Sequence, residues 1–258
     1  MAATWDPTQY LRFGSERGRP FVDLLARVDV DPRHVVDLGC GPGQLTAVLL
    51  ARWPTAEIVG IDASEQMIDR ARATPHDPRV SYQLADLREW RPGRPVDLLV
   101  SSATFQWVPG HTELLPALAD HVAPGGVFAF SVPGNFDAPS HRILHALAAE
   151  QPFAPYVRPE ERADAVDAAA YLSVLSRPGW QVDAWETTYL HVLQGADPVF
   201  EWVSGTGARP VLQALPERLV GAFTAEYKTR LRAAYPAQAY GTVLPFHRVF
   251  VAAHRAAS

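Results

Sequence analysis

The chain predicts an α/β fold built on a doubly wound parallel sheet, and three observations carry that prediction. Apolar runs of strand length recur at His34–Leu38, Glu57–Asp62, Val80–Ala85, Val96–Ser101 and Val127–Val132. Between them lie stretches whose apolar residues repeat at helical spacing, such as Leu45, Val48 and Leu49. Strands that alternate with helices imply parallel neighbours with helices on both faces. Asp37, Asp62, Asp86 and Ser102 all fall at the carboxyl ends of these strands, where such sheets hold their ligands.

Each element has its own signal. Pro20 at a first turn opens a helix to Arg27. A helix over Gln44–Trp53 is stopped by Pro54. Ser64 is the N-cap of a helix over Glu65–Ala73. A helix over about Thr112–Val122 ends at Pro124-Gly125-Gly126. The second half loses the alternation. It holds helices at Ser140–Glu150, Asp164–Leu175, Pro198–Val203, Pro210–Ala214 and Pro216–Tyr235, with extended runs at Val182–Val192 and Val243–Ala253. These helices outnumber what a simple alternation accommodates. The expected organisation is one domain over 1–258, with a cofactor-binding core at 30–133 and a helical cap from 1–20, 139–176 and 195–240.

Composition narrows the partners. At 258 residues and 48% hydrophobic the chain can bury a sizeable core. A net charge of −5 argues against a broad nucleic-acid footprint. No apolar run approaches the roughly twenty residues of a membrane span, and the N-terminus has no signal-peptide core, so a soluble cytoplasmic protein is expected. Cys40 is the single cysteine; it sits in a glycine turn and reads as a small packing residue.

The chemistry begins at Asp37-Leu38-Gly39-Cys40-Gly41-Pro42-Gly43, followed by Gly60-Ile61-Asp62. An apolar strand runs into a glycine turn and a helix, and a second strand ends in a carboxylate. Together these make a nucleoside-binding crevice. Glycines at 39, 41 and 43, with Gln44 at the third dinucleotide position, depart from the spacing that cradles a pyrophosphate. They favour S-adenosylmethionine, whose amino-acid end and ribose need a turn free of Cβ atoms. Asp62 is placed for the ribose hydroxyls and Asp37 for the methionine ammonium. Asp86 and the Leu87 amide are placed for adenine, against an alternative in which Asp86 caps a turn. Met67 is placed on the adenine face or in the core. Gly39, Cys40, Gly41, Gly43, Ala63 and Ser102 complete the candidate cofactor set.

These motifs, with Ala85-Asp86-Leu87 and Phe105-Gln106-Trp107, resemble class I S-adenosylmethionine-dependent methyltransferases. The remainder is similar to the trans-aconitate 2-methyltransferase family. The residues that carry this are Trp5-Asp6-Pro7, Tyr10, Phe13 and Arg19-Pro20; Trp185-x-Thr187-Thr188-Tyr189-x-His191; Thr206-Gly207-x-Arg209-Pro210; Tyr235-Pro236; and Phe246-x-Arg248-x-Phe250. The resemblance implies a Rossmann-like seven-stranded sheet with the last strand antiparallel, a helical cap, and transfer of a methyl group to one carboxylate of trans-aconitate. Phe128, Phe136 and Val211 depart from the family pattern.

A carboxylate with a pKa near about 4 is already a nucleophile at neutral pH, so no general base and no metal is expected. The demand is alignment of oxygen, carbon and sulfur, and exclusion of water. A small anionic acid needs charge-assisted anchors. Arg19, Tyr189, Arg209 and Arg248 are the candidates, with His191 and Trp107 as wall residues. For each arginine the alternative is a surface or interdomain ion pair; for His191 it is a packed core position. A rival acceptor is another carboxylic acid or a natural-product hydroxyl, the latter requiring a base such as His191 or His247. A non-catalytic S-adenosylmethionine sensor is the rival of a different kind. Ser101-Ser102-Ala103-Thr104-Phe105 lacks the Pro-Pro aromatic motif of a nucleobase amino-methyltransferase.

Overall fold

The structure is a computed structural model that describes residues 14–74, 77–157 and 166–257. The readings on Trp5, Asp6, Pro7, Tyr10 and Phe13 lie outside the described residues. The strands are β1 (His34–Leu38), β2 (Glu57–Asp62), β3 (Val80–Leu84), β4 (Val96–Ser102), β5 (Val122–Pro133), β6 (Trp180–Leu193) and β7 (Thr242–Arg255). The helices are α1 (Gly14–Leu25), α2 (Thr46–Arg52), α3 (Glu65–Ala73), α4 (His111–Ala119), α5 (Pro139–Ala148), α6 (Ala168–Leu175), α7 (Pro198–Ser204), α8 (Arg209–Ala214) and α9 (Glu217–Ala234).

The strands form one seven-stranded sheet in the order β3-β2-β1-β4-β5-β7-β6. The first five are parallel, and β7 runs antiparallel to β5. Strand order reverses between β1 and β4, which makes their carboxyl ends the switch point where a ligand crevice opens.

By Cα packing the chain divides into two compact units. Among the described residues, the sheet unit comprises 15–74, 77–133, 166–187 and 248–257, and the helical unit comprises 134–157 and 188–247. Each has its own core. In the sheet unit Val36, Leu38, Leu99, Phe105, Phe128, Phe130 and Val251 are buried together. The central strands are apolar on both faces, as parallel strands covered on both sides must be. In the helical unit Leu144, Phe153, Trp202, Phe223, Tyr227 and Leu231 form the core, with the Phe153 and Phe223 rings edge to face at 5.0 Å. Tyr227 Oη donates to the Ser140 carbonyl at 2.9 Å, and Ser140 N donates to Tyr235 Oη at 3.0 Å. Both ends of the Ser140 backbone are thereby satisfied at the start of α5.

Three sequence readings are corrected. Pro20 lies inside α1 rather than opening it; buried Phe21, Leu24 and Leu25 hold the helix through that break. Pro124-Gly125-Gly126 lies within β5 rather than beyond a helix end. The strand absorbs it as a bulge, because Val96 pairs with Val122 while Leu98 pairs with Val127. Of the stretch grouped with the cap, α6 belongs to the sheet unit, where Tyr171 and Leu175 are fully buried. Among the described residues no helix is long and apolar enough to cross a membrane.

Candidate active site

The glycine turn is built by continuing the β1–β2 ladder past its end. Gly39 N and Cys40 N both donate to the Ile61 carbonyl, at 2.7 and 2.9 Å. The Asp62 carboxylate then clips the turn to β2. Its Oδ2 accepts from Gly41 N at 2.9 Å and its Oδ1 from Ser64 N at 2.8 Å. A carboxylate has about four acceptor positions, so each oxygen keeps a lone pair for a further donor.

The three glycines serve different ends. Gly39 has φ 74° and Gly43 φ 80°, and a Cβ on either would run into the protein itself. At Gly39 it would overlap the Thr104 side chain, and at Gly43 the Tyr82 phenol. Gly41 is the open position, where the nearest atom to an added Cβ is Gln44 Oε1 at 3.8 Å. Two make room for side chains that brace the turn, and Gly41 leaves the backbone bare. Tyr82 also stands opposite Gly60 in the β2–β3 register and donates its hydroxyl to Thr46 Oγ1 at 3.2 Å.

The electrostatics suit a cation. Asp37 is 2% exposed, and burial together with the nearby Asp62 charge pushes its carboxyl up to about 7. Its Oδ2 is buried without a hydrogen-bond partner, as is Gln44 Oε1. These are acceptor atoms awaiting donors. A pyrophosphate would bring further acceptors and negative charge, whereas an ammonium brings three donors and compensates the buried carboxyl. The residues present therefore fit S-adenosylmethionine. Asp62 is raised as well, by burial, with the Ser64 and Gly41 amides opposing. Cys40 is buried, and desolvation, followed by the charges of Asp37 and Asp62, drives its thiol far upward. It stays protonated, in keeping with a packing role.

The strand β4 exit closes over the turn. Ser101 Oγ donates to the Leu38 carbonyl at 2.7 Å, and Thr104 Oγ1 donates to the same carbonyl at 3.1 Å. Ser102 Oγ lies 3.5 Å from Ser131 Oγ. The structure thus brings Asp37, Gly39–Gly43, Asp62, Ser64 and the β4 exit to one place, all within the sheet unit. Met67 is buried on α3, while Ala63 is exposed. Asp86 caps its own turn: Oδ1 accepts from Arg88 N at 2.9 Å, and the Glu89 and Trp90 amides donate to its carbonyl. Leu87 is buried in the core beside Trp90.

The acceptor-side candidates are distributed over both units. Arg19 is exposed on α1, and Trp107 is 41% exposed at the end of the Phe105–Trp107 turn. Arg248 is 5% exposed and pairs in the sheet with Pro133. In the helical unit, Tyr189 and His191 are buried neighbours on β6. The His191 ring stacks on Trp202 at 4.7 Å and meets Phe246 at 5.9 Å, which makes it part of an aromatic core. Arg209 is half-buried at the first position of α8. His247 Nδ1 lies 3.0 Å from the Gly134 carbonyl. Other signature residues turn out to hold the fold. Trp185 stacks on Phe250 at 5.0 Å, and Gly207 leaves room for His141, whose Nε2 would be 2.8 Å from an added Cβ. Among the described residues no group of three His, Cys, Asp or Glu is placed to hold a metal.

Sequence reasoning missed Thr104, Tyr82, Ala103 and Gln106. A signal for Tyr82 was present: a glycine within a central strand asks for a large side chain on the neighbouring one. Gln106 lies in the Phe105-Gln106-Trp107 motif, which gives it no role of its own, and the parts played by Thr104 and Ala103 depend on contacts with β1 and β5.

A seven-stranded sheet of this order, with β7 antiparallel to β5 and a glycine turn at its switch point, defines a Rossmann-like methyltransferase. A methyltransferase-domain family model matches residues 35–126. The plantazolicin methyltransferase BpumL, solved with a desmethyl analogue and SAH, shares the fold with a TM-score of 0.51 at 15% identity over 97% of this chain and 86% of that one. The chain is 52% identical to the trans-aconitate 2-methyltransferase of Streptomyces avermitilis, over 98% of both. It is 50% identical to that of Streptomyces coelicolor, over 98% of this chain and 88% of the relative. The chain belongs to the trans-aconitate 2-methyltransferase family.

Proposed function

We propose that this protein transfers the methyl group of S-adenosylmethionine to one carboxylate of trans-aconitate, giving a monomethyl ester. The cofactor half of this reading is carried by the buried, unpartnered Asp37 Oδ2 beside the open face of Gly41. The acceptor half is supported by identity of 45–52% to curated relatives of that name over nearly the whole chain.

S-adenosylmethionine supplies a methyl carbon made electrophilic by its sulfonium. The acceptor oxygen uses a lone pair to form the new bond while the carbon–sulfur pair returns to sulfur, and no proton moves. The chain's work is therefore to bind, orient and exclude water. Asp37 holds the ammonium, Asp62 holds the ribose hydroxyls with its remaining lone pairs, and Gly41 admits the ligand against backbone. Asp86 and Leu87 are assigned to the adenine, Met67 to its face. Arg248, Arg209, Arg19 and Tyr189 are assigned as anchors of the acid, with Trp107 and His191 as wall. The acceptor is a small anionic molecule, with no nucleic acid and no membrane involved, and the enzyme is assigned to the cytoplasm.

The test is an assay with S-adenosylmethionine and a panel of carboxylic acids and hydroxyl compounds, read by mass spectrometry of the product. Trans-aconitate monomethyl ester as the preferred product is expected. Transfer to a hydroxyl alone, or none to any compound despite cofactor binding, overturns the proposal.

A further inference from the structure

The backbone leaves β4 through a residue in an unfavourable conformation. Ala103 has φ 57°, and among the described residues it is the one non-glycine with positive φ. An L-residue with a Cβ is disfavoured there, and such outliers persist only where surrounding structure over-determines them. The surroundings here are explicit. Ala103 N donates to the Ser131 carbonyl at 2.8 Å, which extends the β4–β5 ladder. Its carbonyl accepts from Gln106 Nε2 at 2.6 Å. Thr104 next to it is pinned to the Leu38 carbonyl and fills the space left by Gly39. The segment that follows is the turn ending in Trp107, whose amide donates to the Thr104 carbonyl at 3.0 Å.

The orientation of the Gln106 amide follows from its partner. A carbonyl only accepts, so the atom facing Ala103 must be the NH2, and the oxygen is the atom left buried without a partner. Glutamine here has given up the ordinary satisfaction of one polar end in order to hold the other. That is a poor arrangement for stability alone and a reasonable one for holding a strained exit from the sheet. A left-handed residue at this point redirects the chain out of β4, and so sets where the following turn and Trp107 lie relative to the glycine turn.

The geometry points to Gln106 as a positioning residue for methyl transfer, acting through Ala103: its carboxamide clamps the left-handed backbone that places the Thr104–Trp107 turn against the glycine turn. The inference rests on the transfer reaction proposed above. It is a claim about alignment, so it predicts a change in turnover with cofactor affinity preserved. It also predicts that the need for the clamp disappears once the backbone is free to be left-handed, since glycine adopts positive φ without strain.

The experiment is a double-mutant cycle with Gln106→Ala, Ala103→Gly and the pair together. The measured quantities are kcat and KM for both substrates, and the S-adenosylhomocysteine Kd by calorimetry. Gln106→Ala is expected to lower kcat by about tenfold or more while the Kd stays within about twofold. Ala103→Gly is expected to keep kcat within about threefold of wild type, and in that background Gln106→Ala is expected to lower it by less than about threefold. An equal loss in both backgrounds, or no loss in either, overturns the clamp. A crystal structure of Gln106→Ala supplies a readout independent of the acceptor. Residue 103 leaving the left-handed region, with Trp107 displaced, supports the inference; an unchanged φ near 57° overturns it. If the wild-type chain transfers no methyl group to any acid, the reaction assignment has failed, and that structure still decides the clamp.

Discussion

The glycine turn of the sheet unit and the acceptor-side candidates of the helical unit are built on opposite principles. The crevice is made of backbone: two amides on the Ile61 carbonyl, two on the Asp62 carboxylate, and glycines at fixed offsets. The helical unit presents side chains from distant segments, such as Arg209 on α8 and Tyr189 on β6, among a core of aromatics. Backbone recognition constrains a contiguous motif tightly. Side-chain recognition allows one scaffold to change its guest by changing a few residues, and the same residue types also serve packing.

The largest effect is expected where the crevice has least tolerance. Gly39→Ala should destabilise the protein by about 2–4 kcal/mol and abolish cofactor binding, because the new methyl overlaps Thr104 and the residue must hold φ 74°. An unchanged urea midpoint would break the claim that this glycine is there to admit Thr104.

On the acceptor side, Arg248→Ala in the sheet unit and Arg209→Ala in the helical unit should each lower kcat/KM for the acid by about a hundredfold, the loss of a charge-assisted anchor. Cofactor affinity by calorimetry should stay within about twofold in both. Intact kcat/KM in both variants removes them from the acceptor side.

Asp62→Ala should weaken the cofactor by about tenfold or more, because it loses ribose bonds and the clip on Gly41 together. Calorimetry giving wild-type affinity would sink the ribose role.

A fourth expectation concerns pH. With Asp37 raised to about 7, the free enzyme carries a neutral carboxyl below that pH and a carboxylate above it. A cationic guest binds the carboxylate form, so affinity should rise with pH and level off above about 7, being about tenfold weaker at pH 6 than at 8. Asp37→Asn should flatten that profile. The stability sign is opposite: the raised pKa means the native state holds the proton more tightly than the unfolded chain. This group's contribution is therefore most favourable below about pH 4 and declines as pH rises toward about 7. Asp37→Asn should accordingly raise Tm at pH 8. At saturating cofactor, kcat should remain flat from about pH 6.5 to 9, since the acceptor is already ionised. A single ionisation in kcat within that window would indicate a hydroxyl acceptor and a base.

The smallest effect should come from Cys40→Ala. A buried thiol held protonated has no chemical step to perform, so kcat should change by less than about threefold. A larger loss would mean that the thiol does more than pack against Gly60, where an added Cβ would lie 2.9 Å from its sulfur.

What was legible in the chain follows the same division. The first two strands and α3 lie where the apolar runs and the Ser64 cap place them, with Ser64 Oγ accepting from Met67 N at 3.4 Å. The glycine turn and the two strand-end carboxylates lie together at the switch point, where their places in the chain predict them. The bulge at Pro124–Gly126 was illegible, since a helix stop and a strand irregularity use the same residues. So was the packing role of Trp185 and Tyr235, because a motif residue looks the same whether it meets a ligand or Phe250.

By itself the sequence determined the local parts: strand and helix order, the glycine turn and the carboxylates that flank it. These depend on backbone conformation and on hydrophobic periodicity, both written within a few residues. Only the tertiary structure decided which glycine stays open, that burial beside Asp62 raises the Asp37 carboxyl to about 7, and that Ala103, tied to Ser131, leaves β4 in the left-handed region. Each of those depends on what a distant strand places within a few ångströms, and long-range proximity and desolvation leave no mark on a linear pattern.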